Sequence, residues 1–126
     1  MDIKITERGW AAHLCVSDNC GFRRNTLVEV GEKKAVVSTV GAYICPLYKR
    51  VTEIGHNRYY ETMIFNASDD GTYIEAETSN ELNVDLDEWA INAESYKDLE
   101  YGTDLKANNM HEEAVRKTIE YLKENQ

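Results

Sequence analysis

The chain has 126 residues and a formal charge of −9, with 23 Asp and Glu against 14 Lys and Arg. That length predicts one domain, 1–126, able to bury a core without staples. The acidic balance argues against duplex nucleic acid or an anionic membrane as partner, since both need a broad basic face. It leaves open an acidic surface that mimics nucleic acid toward a basic protein, or a small anion held by a few arginines, because distant carboxylates are screened beyond about 8 Å at physiological salt.

In chain order, "DIKIT" alternates Ile3 and Ile5 with polar neighbours, the period-two pattern of a half-buried strand. "WAAHLCV" is a second apolar run, closed by the turn-rich "SDNCG". "NTLVEV" and "KKAVVSTV" flank "GEK", which suits a short hairpin. "AYIC" either continues that second strand or begins another after Gly41. "RYYETMIFNA" and "GTYIEAET" flank "SDDG", where Asp-Gly signals a further hairpin. "ELNVDLD" alternates Leu82, Val84 and Leu86 and is predicted as a strand. "DEWAINAESYKDL" admits a short helix, and "YKDLEYGTDLKANN" reads as a polar connection. The firm helix is C-terminal. It would be capped by Asn108 or Asn109, with Glu112 and Glu113 near the positive end of its dipole and Val115, Ile119 and Leu122 as one apolar stripe. The expected fold class is α+β, a mainly antiparallel sheet with a C-terminal helix and room for one more short helix.

No apolar run reaches the roughly 18 residues of a membrane span. "MDIKITERGW" has no apolar segment behind a basic start, so the cytoplasm is the expected compartment. Cys15, Cys20 and Cys45 are an odd count for a disulfide framework. His13, Cys15 and Cys20 have the spacing H-x-C-x4-C, which fits no common zinc pattern, so packed thiols are the plainer reading and no metal is expected. "HEEAV" lacks the second histidine of a zinc-protease helix, and no nucleophile elbow, P-loop or dinucleotide fingerprint occurs. Cysteine–histidine pairings with His13, His56 or His111 as base arise by chance in such a chain. No catalytic residue and no cofactor are therefore assigned.

The arginines carry more information, because a guanidinium fork matches two phosphate oxygens at once. Arg23 and Arg24 are adjacent, so on a strand they leave opposite faces, and a charged strand edge is their plainer reading. Arg58 and Tyr60, two apart, would share a face beside Tyr59, His56 and Asn57, a set able to bind phosphate and stack a base. Trp89 and Asn92, at i and i+3, would share a helix face, with Asn92 reading an adenine edge and Trp89 stacking; core packing is the plainer reading for Trp89. Arg116 has Glu112 and Glu120 at i−4 and i+4, the spacing of ordinary helix ion pairs. His111 is expected at the helix start, where the dipole disfavours its charge.

Several segments together, R-G-W, F-R-R-N-T-L, V-V-S-T-V-G, N-R-Y-Y-E-T-M, W-A-I-N and M-H-E, run over residues 3 to about 116. With them the chain resembles the phage anti-Thoeris sponge proteins, the first described of the two Thoeris anti-defence families. The resemblance implies a protein that is not an enzyme. It would bind the cyclic ADP-ribose isomer made by the defence system's TIR protein and keep it from its effector. It also implies sequestration of the cyclic di- and trinucleotides of CBASS at a separate site, and assembly of homo-oligomers up to hexamers. Asn92 matches a ligand-binding asparagine of that family and Arg58 a phosphate-binding arginine. Leu82 stands nearest to a large apolar or aromatic pocket residue, and Arg116 is a further transfer on the terminal helix. Arg23 and Arg24, with Asn25 beside them, fall where the interface site would draw its charges. Two other classes stand beside this reading: an acidic inhibitor of a host nuclease, of the anti-CRISPR type, and a hydrolase that destroys the same signals.

Overall fold

The computed structural model describes residues 2–8, 19–67 and 80–126. The predicted strands "WAAHLCV" and "GTYIEAET", the "SDDG" turn, His13 and Cys15 lie outside them. The fold is α+β. An antiparallel sheet contains β1 (Ile3–Glu7), β2 (Cys20–Val30), β3 (Lys33–Cys45), β4 (Arg50–Thr52), β5 (Arg58–Asn66) and β6 (Ala90–Asn92). A one-turn 3-10 helix, Tyr96–Asp98, and the long helix α1, Thr103–Glu124, follow. The spatial order is β1-β2-β3-β5-β6, with β4 paired to the far end of β3.

The β2–β3 hairpin closes in two residues, Val30 facing Lys33 across Gly31 and Glu32. Gly31 has φ 60°, as a type II′ turn requires of its first central residue. "AYIC" does continue β3, with a change of partner. Through Gly41 the strand pairs with β5, and from Tyr43 it pairs with β4. Between them Ala42 takes φ 52°, an uncommon left-handed conformation for a residue with a side chain. Gly41 is needed at this kink because the Tyr60 ring crosses it. A Cβ there would meet Tyr60 Cδ2 at 2.1 Å.

Alternation sends even-numbered β2 residues and odd-numbered β3 residues toward α1. The main core joins Val28, Val30, Ala35, Val37 and Ile64 to Ala114, Val115 and Leu122 of the helix. Phe22, Tyr59, Tyr60, Ala107 and Met110 extend it toward the start of α1. The centre of β3 is also buried on its other face, at Val36, Ser38 and Val40.

Four expectations are corrected. The helix begins at Thr103 after Gly102, whose φ is 87°, so Asn108 and Asn109 lie inside it and His111 sits in its third turn. The "polar connection" thus holds the 3-10 turn and the first turns of α1. "DEWAINAESYKDL" forms strand β6 and that 3-10 turn, not a helix, because its edge pairing to β5 overrides a weak helical pattern. "ELNVDLD" runs beside β5 but makes only the bridge Glu81–Phe65; Leu82, Val84 and Leu86 still pack onto the core. No helix among the described residues is long and apolar enough to cross a membrane.

Candidate functional site

Arg58 opens β5 after a tight turn. Asn57 adopts φ 55°, which asparagine tolerates, and its N–H donates to Glu53 Oε2 at 2.7 Å. The Arg58 side chain folds over Gly55, where a Cβ would lie 2.4 Å from Nη2. Its Nε lies 2.8 Å from Glu61 Oε2, a contact of opposite charges in which the N–H is not aligned for a hydrogen bond. Glu61 is buried, so this guanidinium is its counter-ion. The guanidinium also stands 5.4 Å from the centre of the Trp89 ring, within range of cation–π attraction. Asn92 is the strand partner of Arg58 across β5 and β6. Arg58 is thereby brought from a distant part of the sequence to the edge of the sheet that carries Trp89 and Asn92.

The other sequence candidates are placed differently. A bulge between Arg58 and Tyr60 breaks their alternation, so they do not act on one face. Tyr60 turns under α1 instead. Its hydroxyl donates to Asp104 Oδ1 at 2.6 Å, and burial followed by that carboxylate pushes its pKa upward. Trp89 is 50% exposed and not the core anchor that its type suggested. Because the segment is extended rather than helical, Trp89 and Asn92 lie on opposite faces and line different cavities. Leu82 is half-buried against the core. Arg116 is exposed and pairs with Glu113 and Glu120, while Glu112 is drawn to another arginine.

That arginine is Arg24. As strand geometry predicted, Arg23 and Arg24 part, Arg23 to an exposed position and Arg24 toward α1. β3 pairs with both residues, whereas the β1 ladder reaches β2 only as far as Thr26, so on that side Arg23 and Arg24 lie past the end of the described pairing. Arg24 grips Glu7 with two nitrogens, at 2.7 and 3.3 Å, and donates to Glu112 at 2.7 Å and Asn108 at 2.9 Å. It is committed within its own chain. Asn25 is fully buried and accepts from Arg8 Nε at 2.7 Å.

Beneath α1 runs a polar chain that the sequence reading missed. His111 has 0% exposure and hydrogen-bond contacts at both nitrogens: Nε2 to Thr26 Oγ1 and Nδ1 to Thr39 Oγ1, each 2.7 Å. Thr26 donates to Glu7 Oε2 at 2.7 Å, and Thr39 meets Thr62 Oγ1 at 2.6 Å. One hydroxyl has one hydrogen, which fixes every direction. Thr26 gives its proton to Glu7, so His111 must donate from Nε2. Nδ1 then accepts from Thr39, which accepts from Thr62. Burial, then the nearby Arg24 charge, lowers the His111 pKa to about 4, so the ring is neutral at pH 7. Burial alone would raise the Glu7 carboxyl, but hydrogen bonds from Arg24 and Thr26 outweigh it and hold it below its ordinary value. Stepping the helix stripe back from Val115 by one turn lands on His111, which was the available signal. With both nitrogens engaged and no exposure, His111 cannot serve as a base toward a ligand.

Among the described residues no group of three His, Cys, Asp or Glu could hold a metal ion, and Cys20 and Cys45 are free thiols. Comparison with protein families, curated proteins and solved structures finds no match to the chain.

Proposed function

We propose that the chain binds a small dianionic cyclic nucleotide of the cyclic ADP-ribose type and sequesters it without cleavage in the cytoplasm of an infected bacterium, as its resemblance to phage anti-Thoeris sponges implies. The observation that carries this reading is the Arg58 guanidinium over the Trp89 ring at the β5–β6 edge, with Asn92 as the strand partner of Arg58. An arginine beside a half-exposed indole supplies both elements that nucleotide binding needs, a phosphate partner and a stacking face. The pyrophosphate lies on Arg58. Arg116, held among its own helix carboxylates, is left out of this site.

A separate site for cyclic di- and trinucleotides at a boundary between protomers of a homo-oligomer, up to a hexamer, is what the same resemblance implies; of Arg23, Arg24 and Asn25, Arg23 is the exposed one. A second reading, an acidic inhibitor of a basic host nuclease, draws on Asp85, Asp87 and Glu88, all exposed beside Trp89.

Calorimetric titration with cyclic ADP-ribose isomers tests the main reading. Binding is expected, weakened at least tenfold by Arg58→Ala, and heat denaturation of the complex should release the isomer unaltered. Altered ligand would make the protein a hydrolase. No heat with any isomer or cyclic oligonucleotide sinks the reading and leaves the nuclease inhibitor.

A further inference from the structure

Between β5 and residues 82–89 lies a cavity of about 450 Å³, within the range of about 300–1,000 Å³ usual for small ligands. Two backbone bonds hold this segment to the sheet. Leu82 N–H donates to Ile64 C=O at 2.8 Å, and Thr62 N–H donates to Trp89 C=O at 2.7 Å. Between these ties the chain stands off from the strand. In an antiparallel strand the N–H and C=O of one residue point to the same side. The Thr62 C=O and the Ile64 N–H therefore face the gap, as their bonded counterparts do. Neither has a backbone partner across it among the described residues.

A carbonyl of residue i and an N–H of residue i+2 on one strand edge offer an acceptor and a donor side by side. That pattern complements the exocyclic amine and ring nitrogen N1 of adenine. Trp89 lines the same cavity and carries Arg58 on its ring. Glu81 and Asp85 line it too, so the cavity suits a neutral ring bearing an amine and repels phosphate.

We propose that this cavity is the base subsite, taking an adenine ring on the Thr62 C=O and Ile64 N–H with Trp89 against it. The inference rests on the nucleotide-binding reading above and deepens it. The ligand's two chemistries are divided, the base in an acidic slot and the pyrophosphate at Arg58 beyond Trp89. Asn92, which lines a different cavity, is left to the ribose rather than the base.

The test is calorimetry on the full chain with a matched pair: a cyclic ADP-ribose isomer joined ribose to ribose, whose adenine edge is free, and its hypoxanthine analogue. Replacing the amine by a carbonyl turns the donor into an acceptor and puts a hydrogen on N1, so both hydrogen bonds would face the wrong way. The adenine compound should bind at least tenfold tighter, and its addition to 15N-labelled protein should shift the Ile64 amide resonance. Equal affinity for the pair, or an unmoved Ile64 amide in the bound state, overturns the base subsite and leaves the nucleotide-binding reading standing. Binding of neither compound overturns both.

Discussion

His111 links α1 to β2 and β3 from inside the fold. Its pKa is about 4 in the folded chain against an ordinary 6.5. Between those values the unfolded chain holds more protons than the folded one, so stability falls as pH falls. The neutral ring's contribution is complete above about pH 6.5 and lost through pH 4, on the order of 3 kcal/mol. Thermal melts across that range should show this slope, and His111→Gln should flatten it; an unchanged slope in the variant would assign it to carboxylates such as Glu7. A second residue-scale expectation concerns Gly41. An added Cβ would overlap the Tyr60 ring, and overpacking of that kind costs about 1–3 kcal/mol. Gly41→Ala should lower the urea midpoint by a corresponding amount, whereas Gly21→Ala, whose Cβ would meet only ordinary contacts at 3.6 Å and beyond, should not.

Among elements, β1 and α1 are tied to β2 through one side chain. Arg24 reaches Glu7 on β1 and Glu112 on α1. Arg24→Ala leaves the Glu7 carboxylate half-covered without its counter-ion and should destabilise by about 1–2 kcal/mol in chemical denaturation. Arg23→Ala, at an exposed position, should stay within about 0.5 kcal/mol. Equal losses would contradict the parting of the two side chains. What was legible in the sequence belongs to this scale. The strand at "DIKIT", the hairpin at "GEK" and the stripe Val115, Ile119, Leu122 are local periodicities, and each forms where expected, but Ile3 and Ile5, read as the buried side of a half-buried strand, are exposed. The pairing of β6 with β5 was not legible, because a three-residue edge strand is set by its partner and not by its own composition. For the same reason Trp89 and Asn92 were assigned to one helix face. Arg58 was expected to share a face with Tyr60, and the ring it meets is Trp89 instead. Its actual neighbours, Trp89, Glu61 and the bare backbone at Gly55, follow from the turn and the bulge, which alternation alone does not reveal.

For the molecule as a whole, a charge of −9 on 126 residues means that the folded chain repels itself. Added salt screens that repulsion and also weakens the exposed ion pairs. With so few cations to pair, the first effect should win. Raising NaCl from about 20 to about 200 mM should increase Tm by a few degrees; a decrease would show that Arg24 and its partners outweigh the net charge. The same excess of carboxylates bears on the proposed ligand. A dianion approaching such a body would need a cation and a stacking surface side by side, and the proposed site offers that pair in Arg58 over Trp89.

The hydrogen-bond chain under α1 has a direction, and the direction starts outside the core. Glu7 keeps about 43% of its side chain in solvent, yet its ionised oxygen is what obliges Thr26 to point outward and His111 to carry its hydrogen on Nε2. If Glu7 takes up a proton, or becomes Gln, that obligation lapses. Thr26 can turn, the imidazole can adopt its other tautomer, and Thr39 and Thr62 can reverse with it. A surface carboxylate thus writes the orientation of four hydrogens in the middle of the fold.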